Sequence, residues 1–556
     1  MKTACKVKWL QCLCAGLILS LLWSSDSLAG NEQIDIFAPP PANLRPDFDQ
    51  KAENAKSKDK TIDAIDYGIL NVDKLLERLI QPGLLRSPLS RSVEMTLLGE
   101  KVLLVQKHVG ESSRRDTYEW VGYIQGERHS SSVEFRVAKT VDPDTNNRGV
   151  VGLVRRRAKS GEVTYLIIPD ERGTHSVVRY LSGNFPPELP PRRPAAGVEG
   201  GARGRMERGI VDPKSAKPRP LALRLPLGEL QLRPRGNPLI PDFGLPTVED
   251  TLERIRSTRF PELPTTRPPF NIFLPRIDVM VLYTPAAAGI LSPWIMWSLI
   301  DMTLQNTEDS LNQSGIPVRL NLVDWGRVNH IESNTGSEAN DLGQDLTDLE
   351  GGVGFNSVRN RRACIKADVV ALWIRGCQDC QYCGFSTLND PINLGSGANP
   401  GSEDTAFQVV RWDCALSDHS LAHELGHTMG ARHDRGASDT NAIGLGGGYN
   451  FGHLNDQTSY TRLDGSRYYE GTIMAERAFD NSVERLDYWS NPNSPHYSDG
   501  SMMGVAPPTD PNAADNRRAL NANIPLVAKF GENLPPPTEP CGDPPPPAAP
   551  SNLRIR

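Results

Sequence analysis

The stretch "LAHELGHTMGARHD", residues 421 to 434, places three of the chain's ten histidines within eleven positions. Few arrangements can use that spacing. Ser417 or Asp418 can cap a helix running to about Met429, which sets His423 and His427 four residues apart on one helical face. Gly430 can take the left-handed conformation that ends a helix and turns the chain, swinging His433 back towards the other two imidazoles. Three ring nitrogens then converge on one point, the protein ligand set of a catalytic Zn2+ site whose fourth position stays open. Glu424 adjoins the first ligand and is placed to take a proton from metal-bound water. His419 shares the same face but has no adjacent base, and is read as structural.

Composition sets the frame around this cluster. The chain has 556 residues, 38% hydrophobic and 23% charged, enough for several domains with sizeable cores. Lys2, Lys6 and Lys8 precede an apolar run from Trp9 to Trp23, and Ser27-Leu28-Ala29 offers small residues for cleavage, so 1–29 reads as a signal peptide and the protein as secreted or periplasmic. No other stretch is apolar enough to cross a bilayer, and no membrane anchor is expected in the mature chain. Beyond the signal, six cysteines remain: Cys364, Cys377, Cys380, Cys383, Cys414 and Cys541. In an oxidising compartment they suggest up to three disulfides; "CQDCQYC" also reads as a metal knuckle or a redox pair, the less favoured alternative.

The chain divides by composition. Residues 31 to about 65 are polar and charged, read as a poorly ordered lead-in, and short alternating runs from about 66 to 183 suggest one all-β domain. These shifts set boundaries at 30–183 for a β-rich domain, 184–275 for a Pro/Arg-rich linker, 276–533 for the domain that holds the histidine cluster and 534–556 for a Pro-rich tail. Within the third, "IDVMVLYT", "VRLNLVDW" and "ADVVALWI" read as strands, with helices over 291–315 and "EANDLGQDLTDLEG" between them. That order predicts an α/β (α+β) domain with an open, twisted sheet and helices packed on it.

"HELGHTMGARHD" resembles the extended zinc motif of the metzincin metallopeptidases, in the form typical of reprolysin-like (adamalysin-like) members of the bacterial secreted type. "YYEGTIMAERAF" resembles the family's methionine turn, and the likeness extends over about 277 to 530. The resemblance implies a metzincin-type fold with a mixed, twisted sheet and a zinc helix, with His423, His427 and His433 as zinc ligands, Glu424 as general base, Gly430 and Asp434 as structural residues near the site, and Met474 as its floor. It also makes Cys383 with Cys414 the expected disulfide. The implied activity is zinc-dependent hydrolysis of protein or peptide substrates by an enzyme made as a proenzyme, with no nucleic-acid partner. The alternative is an extracellular zinc-binding or adhesive protein without peptidase activity, although a purely structural site has no use for Glu424. The β-rich region is similar, more weakly, to the propeptides of such enzymes. Many reprolysin-like zymogens hold a propeptide cysteine on the zinc, but this chain has no cysteine between Cys14 and Cys364. Latency must therefore come from steric blockage or another ligand; the basic linker, lying on the acidic domain until cut at Arg192-Arg193 or 203–208, is one candidate and a solvated linker the alternative.

Smaller features carry weaker expectations. Glu338, Asp341, Asp345, Asp348 and Glu350 could include Ca2+ ligands but read better as a solvated helical face. "GLGGGYNFG" reads as a loop near the cleft. Arg477 and Arg485 follow the methionine turn and are read as surface arginines, with a basic pocket preferring acidic side chains as the alternative. The final "AAPSNLRIR" resembles the start of a fibronectin type III module that is never completed.

Overall fold

A computed structural model of the chain describes most residues of 37–189, 274–389, 402–435 and 448–541. The signal-like run, Cys377, Cys380, Arg477, most of the linker and the end of the tail lie outside the described residues. Among those described, no helix is long and apolar enough to cross a membrane.

The N-terminal part is one nine-stranded antiparallel sheet. Its strands are β1 (Phe37–Ala38), β2 (Ile62–Leu70), β3 (Ser92–Leu97), β4 (Glu100–Glu111), β5 (Thr117–Ile124), β6 (Ser131–Asp142), β7 (Asn147–Ala158), β8 (Gly161–Pro169) and β9 (His175–Leu181). Sequential hairpins run from β3 to β9, and β2 and then β1 close the far edge. The polar stretch before residue 65 is not a loose lead-in: helix α1 (Arg45–Lys58) packs here, with Phe48 and Ala55 buried and the Phe48 ring stacked 4.7 Å from Tyr67. One apolar contact per two turns suffices because the sheet supplies the other wall.

His175, at the start of β9, is a titration switch inside this sheet. It is buried, neither ring nitrogen has a hydrogen-bond partner, and burial pushes its pKa down to about 3. Below pH 6.5 the unfolded chain therefore binds a proton that the folded chain refuses, so stability falls with falling pH down to about pH 3. Between pH 6.5 and 4 the loss is on the order of 3 kcal/mol. Urea unfolding at pH 7 and 4 should show this loss in the wild type and much less of it in His175→Phe; equal pH dependence in both would rule the assignment out.

The second part is built on a five-stranded sheet: β10 (Arg276–Tyr283), β11 (Arg319–Arg327), β12 (Val369–Ile374), β13 (Gly384–Ser386) and β14 (Phe407–Arg411), in the order β11-β10-β12-β14-β13. The first four run parallel and β13 is an antiparallel edge strand. Every residue of β12, "VVALWI", is buried, as expected for a parallel strand covered on both faces. Alternate residues serve opposite faces. Val279, Val281, Val369 and Ala371 pack in the core under helix α2 (Pro293–Gln313), while Met280, Leu282, Val370 and Leu372 pack with Leu342 and Leu346 of α3 (Glu338–Gly351) and Val358 of α4 (Asn356–Ile365). Ser292 caps α2, its hydroxyl accepting from the Ile295 amide, with Pro293 at the first helical position.

The acidic run on α3 does not behave as a solvated face. Asp341 and Asp345 are buried; Asp345 accepts from the Ser333 amide and hydroxyl at 3.0 and 2.8 Å and lies 2.9 Å from the His330 ring. Asp348 accepts from Gln344 and Glu350 from Thr387, so these carboxylates serve separate partners rather than one shared ion centre. Among the described residues there are two disulfides: Cys383–Cys414 ties the start of β13 to α5 (Trp412–Ser417), and Cys364–Cys541 anchors the C-terminal segment to α4.

The two sheets share an interface. Trp294 of α2 donates its indole N–H to Thr117 at 3.1 Å, and buried Arg136 pairs with Asp301 at 2.7 Å. The β7–β8 hairpin reaches the far side: Arg155 donates to the Leu416 carbonyl, Arg157 pairs with Glu470 at 3.1 Å, and the Glu162 amide donates to Glu484.

Candidate metal centre

The histidine helix is α6 (Ser420–Thr428). Neither Ser417 nor Asp418 caps it. α5 runs to Ser417, and His419, with φ of 58°, is the N-cap without a side-chain cap bond. Asp418 is unavailable because its carboxylate faces Arg485, 3.4 Å away. His419 instead sits 3.5 Å from Glu162 and 3.8 Å from Asp487, apart from the cluster.

His423, His427 and His433 do meet. Their Nε2 atoms are separated by 2.9 Å (His423 to His433), 3.0 Å (His427 to His433) and 3.1 Å (His423 to His427), and all three residues are fully buried. Nδ1–H of His423 donates to the Ile473 carbonyl and Nδ1–H of His427 to the Ala431 carbonyl, both at 2.8 Å. Those bonds leave Nε2 of each ring as a lone pair aimed at the shared point. Burial and the nearby Arg485 charge hold His423 well below the usual imidazole range and His433 down to about 3, so these two rings are neutral. Converging lone pairs repel unless a cation lies between them, and three nitrogens at roughly 2.0–2.1 Å from a tetrahedral zinc would sit about 3.3 Å apart. The donor set therefore fits one zinc ion.

A turn over residues 472–476 joins the parts of the site. Its Ile473 carbonyl orients His423, its Glu476 amide donates to Asp434 at 2.9 Å, and its Ala475 carbonyl accepts from Arg485 at 3.2 Å. Met474 is buried beneath α6, so close that a Cβ on Gly426 would lie 2.5 Å from its sulfur.

Glu424 projects to the other side of the cluster. Its carboxylate accepts from the Ser386 hydroxyl of the edge strand. A Cβ on Gly384 would lie 2.8 Å from Glu424 Oε1, so only glycine lets the strand approach this carboxylate. Burial and the neighbouring Glu188 push Glu424 well above the usual carboxylate range, while Ser386 and Arg485 pull the other way.

Glu188, Ser386 and Asp418 did not emerge from the sequence as site residues, and Arg485 is not a surface arginine. It is 1% exposed, and its guanidinium donates to Glu188 at 2.9 Å. Residues 185–189, which the composition assigns to a linker, are buried, and Glu188 among them reaches this site. The one textual signal was an acid isolated in the proline-rich "FPPELPP" directly after the last strand. Glu188 also groups with Cys383 and Asp418 within ligand distances, but the Cys383 sulfur is committed to its disulfide and this is no metal site.

The fold and the three-histidine centre define a class of protein. Residues 287–490 match the family description "Metallo-peptidase family M12" (Reprolysin_5), so over that stretch the chain is similar to the reprolysin-like metallopeptidases. It is 33% identical over 258 residues to a peptidyl-Asp metalloendopeptidase of Stenotrophomonas maltophilia (strain R551-3), covering 46% of this chain and 52% of that one. A protein of the same name from Xanthomonas campestris pv. campestris is 30% identical over 236 residues, covering 42% and 47%. The chain thus spans about half the length of these curated relatives. Among solved structures, metalloproteinase-II from Bacteroides fragilis aligns over 66% of this chain and 86% of that one at 11% identity and a TM-score of 0.33, too distant to carry an argument.

Proposed function

We propose that the protein is a secreted zinc endopeptidase made as a proenzyme, with His423, His427 and His433 as zinc ligands and Glu424 as general base. The observation that carries this reading is the convergence of three buried Nε2 atoms, with a buried carboxylate on the residue after the first of them. The names of the relatives support substrates with an aspartate at the scissile bond.

Zinc, when bound, supplies Lewis acidity to the scissile carbonyl and acidity to the attacking water. The chain's own residues do the rest. Glu424, held by the Ser386 hydroxyl, takes the proton of that water and hands it to the departing amine. Gly430 and Asp434 position His433, and Met474 supports α6 from below. The edge strand β13 offers backbone groups along which an extended peptide can pair. The nine-stranded sheet and residues 184–189 act as the prosegment.

The test is hydrolysis of a mixed peptide library by zinc-loaded protein nicked in the linker, with and without a chelator. Cleavage that chelation abolishes and added zinc restores is expected. No cleavage by zinc-replete nicked protein would hand the case to a zinc-binding or adhesive role.

A further inference from the structure

Residues 185–189 lie where a peptide would have to lie. The Leu189 amide donates to the Gly384 carbonyl at 3.1 Å, and the Cys383 amide to the Pro187 carbonyl at 2.9 Å. The segment thus occupies the free edge of β13, the strand that holds Glu424 through Ser386. The pairing advances in the same sense along both segments, and the Pro187 carbonyl is turned to the strand edge. Phe185 fastens one end in the main core, its ring 5.7 Å from Tyr180, and Leu189 the other among apolar residues of the sheet's opposite face.

Between these anchors Glu188 enters a closed pocket. It is fully buried, and Oε1 takes the Arg485 N–H at 2.9 Å. Its other oxygen lies beside Glu424, the two facing the spot where a Gly384 Cβ would be. Arg485 is held from behind by Asp418 and the Ala475 carbonyl. A buried guanidinium so fixed, next to the proposed base, aims Nη1 at whatever side chain fills the pocket, and its buried Nη2 has no hydrogen-bond partner of its own. A neutral group there would leave charge-assisted donors unpaired, at a cost that a carboxylate avoids. The nitrogen cluster, by contrast, gathers no atom of Glu188.

Building on the endopeptidase reading, we propose that Arg485 reads the acidic side chain of the substrate, and that Glu188 keeps the enzyme latent by occupying that pocket as a substrate mimic. Latency here needs no cysteine and no ligand on the zinc. The prosegment competes for the carboxylate site and the strand edge together. Removing it frees both, and leaves Arg485 with Asp418 and the Ala475 carbonyl as partners until an acidic residue binds.

Intact zinc-loaded chains of wild type, E188Q and E188D would be assayed, before and after nicking in the linker, on a fluorogenic peptide with a single Asp and on its Asn twin. The intact wild type and E188D should be nearly silent and intact E188Q at least tenfold more active, because Gln keeps the shape and loses the charge. After nicking, the Asp peptide should be cut at least a hundredfold faster than the Asn peptide. Intact E188Q as silent as wild type, while both cut after nicking, would overturn the latency claim; equal rates on the two peptides would overturn the pocket claim. A second readout needs no catalysis: retention of the N-terminal part on the nicked chain should weaken at least tenfold in E188Q but not in E188D. Equal retention in all three chains overturns the proposal. Failure of nicked wild type to cut any peptide, with retention still dependent on Glu188, would instead sink the endopeptidase reading and leave the carboxylate contact standing.

Discussion

Glu424→Gln is expected to lower kcat/KM of the nicked enzyme by about 10²–10⁴-fold while leaving zinc bound at one equivalent, because general acid–base catalysis contributes on that order and Glu424 is not among the converging nitrogens. The substitution suits its surroundings. The Gln amide oxygen can still accept from Ser386, and its N–H₂ can donate towards Glu188 where two carboxyl groups now face each other. Folding stability should therefore hold, so a loss of rate reports on the proton transfer rather than on collapse of the site. Metal content by atomic absorption beside kcat/KM separates the cases. Activity within tenfold of wild type would remove Glu424 from the role of base, and loss of metal together with activity would make it a ligand.

The histidine site was legible because its three donors are local: a spacing of four on a helix, then six residues that include one glycine, bring the rings together. The turn over 472–476 that orients His423 and bonds Asp434 comes from farther along the chain. The sheet's three longest strands were legible as strands for a similar reason, a run such as "VVALWI" being apolar on both faces; that they run parallel came from the structure. Features fixed by distant contacts were not. Glu188 and Arg485 are 297 residues apart, and no periodicity of either segment announces that they meet. The same holds for the cap of α6, where Asp418 is diverted to that arginine. Helix α4, "NSVRNRRACI", carries three arginines and little apolar pattern; it is held in place partly by Arg362, which spends its guanidinium on the carbonyls of Ala367, Asp368 and Glu403. Composition misjudged α1 in the same way, since its polar sequence hides the two residues that meet the sheet.

Gly430→Val should cost the site its third ligand. Gly430 has φ of 93°, a conformation a β-branched residue resists, and a Cβ there would lie 2.3 Å from Asn523 Nδ2 and 3.0 Å from the Asn389 carbonyl. Asn523 cannot simply retreat, because it donates to the Met429 carbonyl at 2.9 Å, and the Gly430 carbonyl itself accepts from Asn450 at 2.6 Å. The turn is thus pinned from both sides, and the strain must be relieved by moving the chain that leads to His433. Backbone strain and overpacking together amount to about 3 kcal/mol, which corresponds to a roughly 100-fold weaker hold on zinc if it falls on the ligand geometry. Zinc competition against a chelator should show that drop, with Gly430→Ala showing a smaller one because it meets the same Asn523 contact without the second branch. A Gly430→Val chain that binds zinc within about threefold of wild type would mean that the Asp434 bond to the Glu476 amide, rather than the glycine turn, is what places His433.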